Sequence, residues 1–167
     1  MTVGLSLPTF TILHVAISLL GLVSGFVVLT ALLGNTSRPG WTAAFLVATV
    51  LTTVTGFMFP VSALTPALVT GLISSPILAI ALFAIYVKRL SGSWRWIYVV
   101  TAVGALYFNV VALIAQAFLK VPALKALAPT GGEPPFLIAQ AIGLGIFLVL
   151  GALAVRRFRP YEHLVMT

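Results

Sequence analysis

His14 is the one ionisable side chain inside an apolar stretch of this chain, so intramembrane acid–base or ligand chemistry would have to be built around it. Polar side chains are costly in hydrocarbon and mark either a site or a bond between helices. Thr55, Thr70, Gln116 and Gln140 also lie within apolar stretches, and Glu133 stands in the loop before the last of them. Counting 1.5 Å per helical residue from the ends of the stretches puts these side chains in one depth band, on the side of the N-terminus. Facing inward together, His14, Thr55, Thr70, Gln116, Glu133 and Gln140 would line a small polar pocket for a headgroup or small ligand. Bonded in pairs across helices, the same residue types would only hold the bundle together. Asn109 lies seven residues before Gln116 and shares its face, which points that face into the bundle or at a partner.

Other chemistries are narrowed by what is missing. A histidine within a span can be an axial haem ligand, but the only other one, His163, lies beyond Arg156 and Arg157, across the membrane from His14. That leaves a single-histidine haem or quinone site as the redox reading. A proton relay needs carboxylates within the spans, and the two present, Glu133 and Glu162, both fall outside them. A small carrier or permeation protein for an uncharged or lipophilic molecule is the remaining transport reading. The chain has no Cys, which excludes thiolate nucleophiles, disulfides and Cys-ligated metal. No catalytic constellation, metal site or cofactor is expected, and the leading expectation is a non-enzymatic accessory or binding subunit.

The elements that position these side chains follow from composition. Of 167 residues, 61% are hydrophobic and 7% charged, against roughly 25% charged in a soluble domain. Lipid must therefore cover most of the surface. Five apolar stretches, at about 8–33, 41–59, 66–87, 96–119 and 135–155, are separated by turn or charge signals. Each is long enough to cross a hydrocarbon core of about 30 Å as a helix, and helix is required because backbone amides facing lipid must be satisfied within the segment. Pro8, Pro66 and Pro135 stand where helices begin, where a missing N–H costs nothing. Pro76 removes a backbone bond inside the third stretch. The loop at 120–134 is the one sizeable extramembrane segment, and Val121–Ala128 within it predicts one or two helical turns on the membrane surface. Small residues predict close helix contacts at Gly21 and Gly25, along Thr42, Thr49, Thr53 and Gly56, and at Ala139 and Gly143.

The net charge of +7 comes from nine Lys and Arg against two Glu. The cations sit in short clusters between apolar stretches, which fits membrane orientation and gives no nucleic-acid surface. With five spans, one side collects Arg38, Lys88, Arg89, Arg95, Arg156, Arg157 and Arg159, and the other only Lys120 and Lys125. The cation-rich side is the cytoplasmic one, so the N-terminus is expected outside and the C-terminus inside. Trp41, Tyr86, Trp94, Trp96 and Tyr98 fall at the same boundary, as an interfacial aromatic belt does. Met1–Phe10 carries no Lys or Arg, so the first stretch reads as a retained span and not a cleaved signal.

Thr55-Gly56-Phe57-Met58-Phe59-Pro60, Trp94-Arg95-Trp96-Ile97-Tyr98-Val99, the Lys120–Pro129 segment, Glu133-Pro134-Pro135-Phe136 and Arg156-Arg157-Phe158-Arg159-Pro160 resemble a group of small uncharacterised bacterial inner-membrane proteins. The resemblance spans most of the chain. It implies a bacterial inner membrane and carries over no site residues. The expected fold is thus an all-α, five-transmembrane-helix bundle in a single domain, 1–167. Its expected partners are the lipid bilayer, a lipid or small ligand, and another membrane protein or further copies of itself.

Overall fold

The computed structural model describes residue 4, residues 6–60 and residues 65–159. Among the described residues every regular element is helical. Helix α1 (Leu7–Leu33), α2 (Pro39–Phe57), α3 (Pro66–Leu82), α4 (Trp94–Lys120) and α6 (Pro134–Arg157) are the long ones, and α5 (Pro122–Leu127) is the short surface helix in the loop between α4 and α6. Five helices, counting α3 with the turn that extends it to Val87, are long and apolar enough to cross a membrane, with mean hydropathies of 1.4 to 2.4. The chain is a multi-pass, all-helical membrane bundle.

The helix ends are written locally. Ser6 caps α1, its hydroxyl accepting from the Thr9 N–H at 3.3 Å, and Thr65 caps α3 in the same way from the Leu68 N–H at 3.2 Å. Prolines occupy the first turns of α1, α2, α3, α5 and α6. Helix α1 closes at Gly34, and Asn35 follows in the left-handed region at φ 51°. Helix α3 runs through Pro76 and widens at Phe83–Val87 into one π-helical turn. Arg89 and Leu90, at φ 48° and 59°, then reverse the chain towards α4.

Several boundaries differ from the sequence expectation by up to two residues, with α4 beginning at Trp94 and α6 running on to Arg157, and α2 differs at both ends. Helix α2 stops at Phe57, two residues before the expected end at 59. The residue before a proline is driven out of the helical region by the ring, so Phe59, which precedes Pro60, leaves the helix. Its ring is then free to pack against Phe10 at 4.9 Å and edge-on to His14 at 5.1 Å. At the other end α2 already begins at Pro39, because Pro fits the first turn of a helix. His163, Glu162 and the remainder of 160–167 lie outside the described residues.

Helix α4 is the centre of the bundle and touches α1, α3 and α6, while α2 joins α1 to α3. The fully buried side chains concentrate towards one end. Val28, Leu29 and Leu32 of α1 meet Phe45 and Leu46 of α2 and Val99, Ala102 and Leu106 of α4. That end carries the α1–α2 turn, the α3–α4 turn and the tail of α6. These three are bound together there. The Arg159 N–H donates to Asn35 Oδ1 at 2.6 Å, and Arg95 Nη1 donates to the carbonyls of Val155, at 3.0 Å, and Phe158. Arg38, Lys88, Arg89, Arg95, Arg156, Arg157 and Arg159 thus sit at one end of the bundle, and Lys120 and Lys125 at the other.

Close approach in this half depends on glycine. A Cβ built on Gly25 would come within 2.5 Å of Leu106 and 2.9 Å of Phe45, whereas one on Gly21 would meet its neighbours at an ordinary 3.6 Å. The small-residue spacing on α1 is therefore used within the chain, against α2 and α4.

Candidate functional site

His14 stands two turns into α1, half-buried, with Nδ1 2.7 Å from Thr55 Oγ1 on α2. A threonine hydroxyl has one hydrogen to give. Thr55 Oγ1 donates it to the Leu51 carbonyl one turn back, at 2.7 Å, so Nδ1–H of His14 is the donor in the bond between the helices. In the neutral ring, that leaves Nε2 as an acceptor. The imidazole also lies beside Gly56, where a Cβ would meet the ring at an ordinary 3.7 Å.

Of the other sequence-predicted residues, Gln116, Gln140 and Glu133 are placed apart from this pair. Gln140 on α6 donates Nε2 to the backbone carbonyl of Val111 on α4 at 3.3 Å. Because a carbonyl only accepts, the amide orientation is settled, and its Oε1 is left buried without a hydrogen-bond partner among the described residues. Gln116 is exposed on α4, although Asn109, on the same face seven residues earlier, is half-buried and donates Nδ2 to Thr49 Oγ1 on α2 at 3.2 Å. Both side chains point the same way. That face of α4 is no longer covered at the level of Gln116, although Phe118, two residues on, is buried against Phe136. Thr70 is half-buried on α3. Glu133 spends its carboxylate on its own loop, accepting from the Thr130 N–H at 3.0 Å, the Thr130 hydroxyl at 2.8 Å and the Gly132 N–H at 3.1 Å. The Thr130 backbone bond is the largest of the effects that hold this carboxyl down at about 2.

Two hollows lie between the helices, and none of the six predicted residues lines either. One, of about 30 Å³, lies at the cation-rich end between Leu32, Thr42, Tyr98 and Phe158. The other is an apolar groove of about 240 Å³ between α4 and α6. Among the described residues no group of three or more His, Asp or Glu side chains is placed to hold a metal.

Sequence reasoning missed three contacts that tie the molecule together. The Arg95 bonds to the tail of α6 look in the sequence like one more interfacial cation. The partner of Asn109, Thr49, lies 60 residues away. The ring of Phe59 on His14 depends on the helix ending early, and the proline at 60 was the available signal. Comparison of the chain with protein-family models, with curated proteins and with solved structures yields no match.

Proposed function

We propose that this chain is a non-enzymatic subunit of a bacterial inner membrane, binding other membrane components through its helix surfaces. The observation that carries this reading is how the intramembrane polar groups are spent. His14 with Thr55 joins α1 to α2, Asn109 with Thr49 joins α4 to α2, and Gln140 joins α6 to α4. Groups used this way hold four of the five spans together and converge on no shared reaction centre. Such bonds average about 0.6 kcal/mol in membranes, enough to fix helix register.

The outward surface of α6 is the natural docking face. Only 6% of its apolar window is buried, against 39% for α4, and Ile138, Ile142, Ile146 and Val149 are all exposed. The gathering of seven cations at one end supports a cytoplasmic position for that end and an outside N-terminus. The resemblance of the 55–60, 94–99, 120–129 and 133–136 segments to small bacterial inner-membrane proteins supports the choice of membrane.

One observation favours a second reading. His14 Nε2 makes no hydrogen bond among the described residues and, as an acceptor, suits a quinol hydroxyl or a haem iron.

Site-specific photo-crosslinking in cells tests the subunit reading. A crosslinker at Ile142 or Ile146 should give one adduct of the same mass, and none at Val54 on α2 or Leu72 on α3. Adducts to lipid alone at all four positions would contradict it. An absorption spectrum of the purified protein with a Soret band that His14→Ala abolishes would put the haem reading in its place.

A further inference from the structure

The groove between α4 and α6 has the character of a lipid site, and this inference stands independently of the subunit reading. Its walls include Val100, Gly104 and Tyr107 of α4 and Leu144, Leu148 and Gly151 of α6. The lining spans Val100 to Tyr107 on α4 and Leu144 to Ala152 on α6, which at 1.5 Å of rise per residue gives it a length of about 10–12 Å along the bundle. Water has almost nothing to bond there, and a cavity of that kind in a bilayer is filled by hydrocarbon.

The two ends of the groove differ. One helical turn beyond Ala152, in the direction of the chain terminus, stands Arg156, and one turn before Val100 on α4 stands Trp96; all four lie on the groove's side of their helices by the four-residue spacing. Trp96 is 46% exposed, as an interfacial aromatic is. Arg156 and its neighbour Arg157 are exposed. Glu133, the only carboxylate among the described residues, lies at the opposite end of α6. Arg95 is committed to the carbonyls of Val155 and Phe158, which leaves Arg156 as the cation at the mouth. A hydrocarbon slot that opens onto a guanidinium and an indole at the interface matches an anionic glycerophospholipid, with one acyl chain in the slot and its phosphate on the guanidinium.

We infer that the α4–α6 groove binds one anionic phospholipid from the leaflet at the cation-rich end, with Arg156 holding the phosphate. A neighbouring helix would not need a charge at one end of its groove, and a zwitterionic lipid gains less from a lone cation.

Native mass spectrometry of the detergent-purified protein, titrated with phosphatidylglycerol or with phosphatidylcholine of the same acyl chains, tests this. One phosphatidylglycerol should bind with about fivefold preference, the scale of one basic residue at an anionic surface. Arg156→Gln should reduce that preference to none. Ala152→Phe, at an exposed position where no packing is lost, should fill the slot and remove bound lipid of both kinds. Lys125→Gln, at the opposite end, should change nothing. Equal binding of the two lipids by the unaltered protein overturns the proposal, as does a preference that survives both Arg156→Gln and Ala152→Phe. A dimer lost on Ala152→Phe would assign the groove to a second copy instead, and would also overturn it. Elution as a single species with an unchanged melting temperature identifies variants that are folded; if either groove variant is not, lipid loss in Leu148→Phe, one turn earlier on the same wall of the slot, decides the matter.

Discussion

At the scale of single residues, glycine and polar side chains do opposite work in this bundle. Gly25 is where α1 comes closest to α2 and α4, and adding one methyl group would press on Leu106 and Phe45. Overpacking of this kind costs typically 1–3 kcal/mol. Gly25→Ala should therefore lower the melting temperature in detergent, while Gly21→Ala, with ordinary contacts at 3.6 Å, should leave it within the scatter of a surface change. Equal melting temperatures for the two variants would show that the close approach is not needed. The small-residue spacing marked both positions in the sequence. It did not rank them, because the rank depends on which side chains of other helices stand opposite.

Glu133 provides the pH-sensitive element. Its carboxyl, near 4.5 without structure, is held down at about 2 by the Thr130 and Gly132 bonds. A depressed folded value means that the charged form stabilises the loop. The contribution is complete above the ordinary carboxylate range and is lost as pH falls from about 4.5 through about 2. Hydrogen exchange at the Thr130 and Gly132 amides should stay slow, relative to the intrinsic rate, at pH 5 and lose protection below about pH 3. Glu133→Gln should show the low-pH behaviour at all pH values. Protection that ignores both pH and the substitution would mean that the carboxylate does not hold the loop. Read from the sequence, Glu133 belonged with His14 and the glutamines because it shares their depth. Depth follows from counting residues, but the direction of a side chain in a loop follows from local backbone donors.

Among the spanning helices, α6 is the one held least by burial, and named bonds tie it to α4. The last carbonyls of a helix have no partner within it. Here Arg95, reaching from the first turn of α4, supplies the donor for Val155 and Phe158 and places a cation at the negative end of the helix dipole. Hydrogen bonds from charged donors are worth about 1.5–3 kcal/mol. Arg95→Met keeps the apolar stem and removes the bonds, so it should destabilise the fold by that order. The loss should appear as faster proteolysis after Arg157 in detergent. An unaltered cleavage rate would show that α6 is held by its apolar contacts alone. The five spans themselves were legible in the sequence, since hydropathy, length and the prolines at helix starts all bear on them. The end of α2 was not, because an apolar run continues through Phe59 while the backbone stops responding to it before Pro60. Nor was the separation of Gln116 from Asn109. Seven residues preserve the face of a helix, but whether that face is covered depends on how far the neighbouring helices stay packed.

For the whole molecule, the three turns and tails at the cation-rich end are locked together, and the opposite half holds the candidate residues, with His14 and Thr55 bonded to each other and Gln116 exposed. The charge asymmetry could be read directly from the chain, and the fold brings the clusters to one end, as an odd number of spans requires. We propose that five spans put this end in the cytoplasm and the Thr130–Glu133 loop outside. Single-cysteine variants test it directly, since the chain has no Cys of its own. A membrane-impermeant thiol reagent applied to intact spheroplasts should label Gly131→Cys, and should reach Ser37→Cys and Ser91→Cys only after the membrane is opened. Labelling of Ser91→Cys in intact spheroplasts would contradict the account. Together with Gly131→Cys it would break the five-span topology, and in place of Gly131→Cys it would invert the orientation.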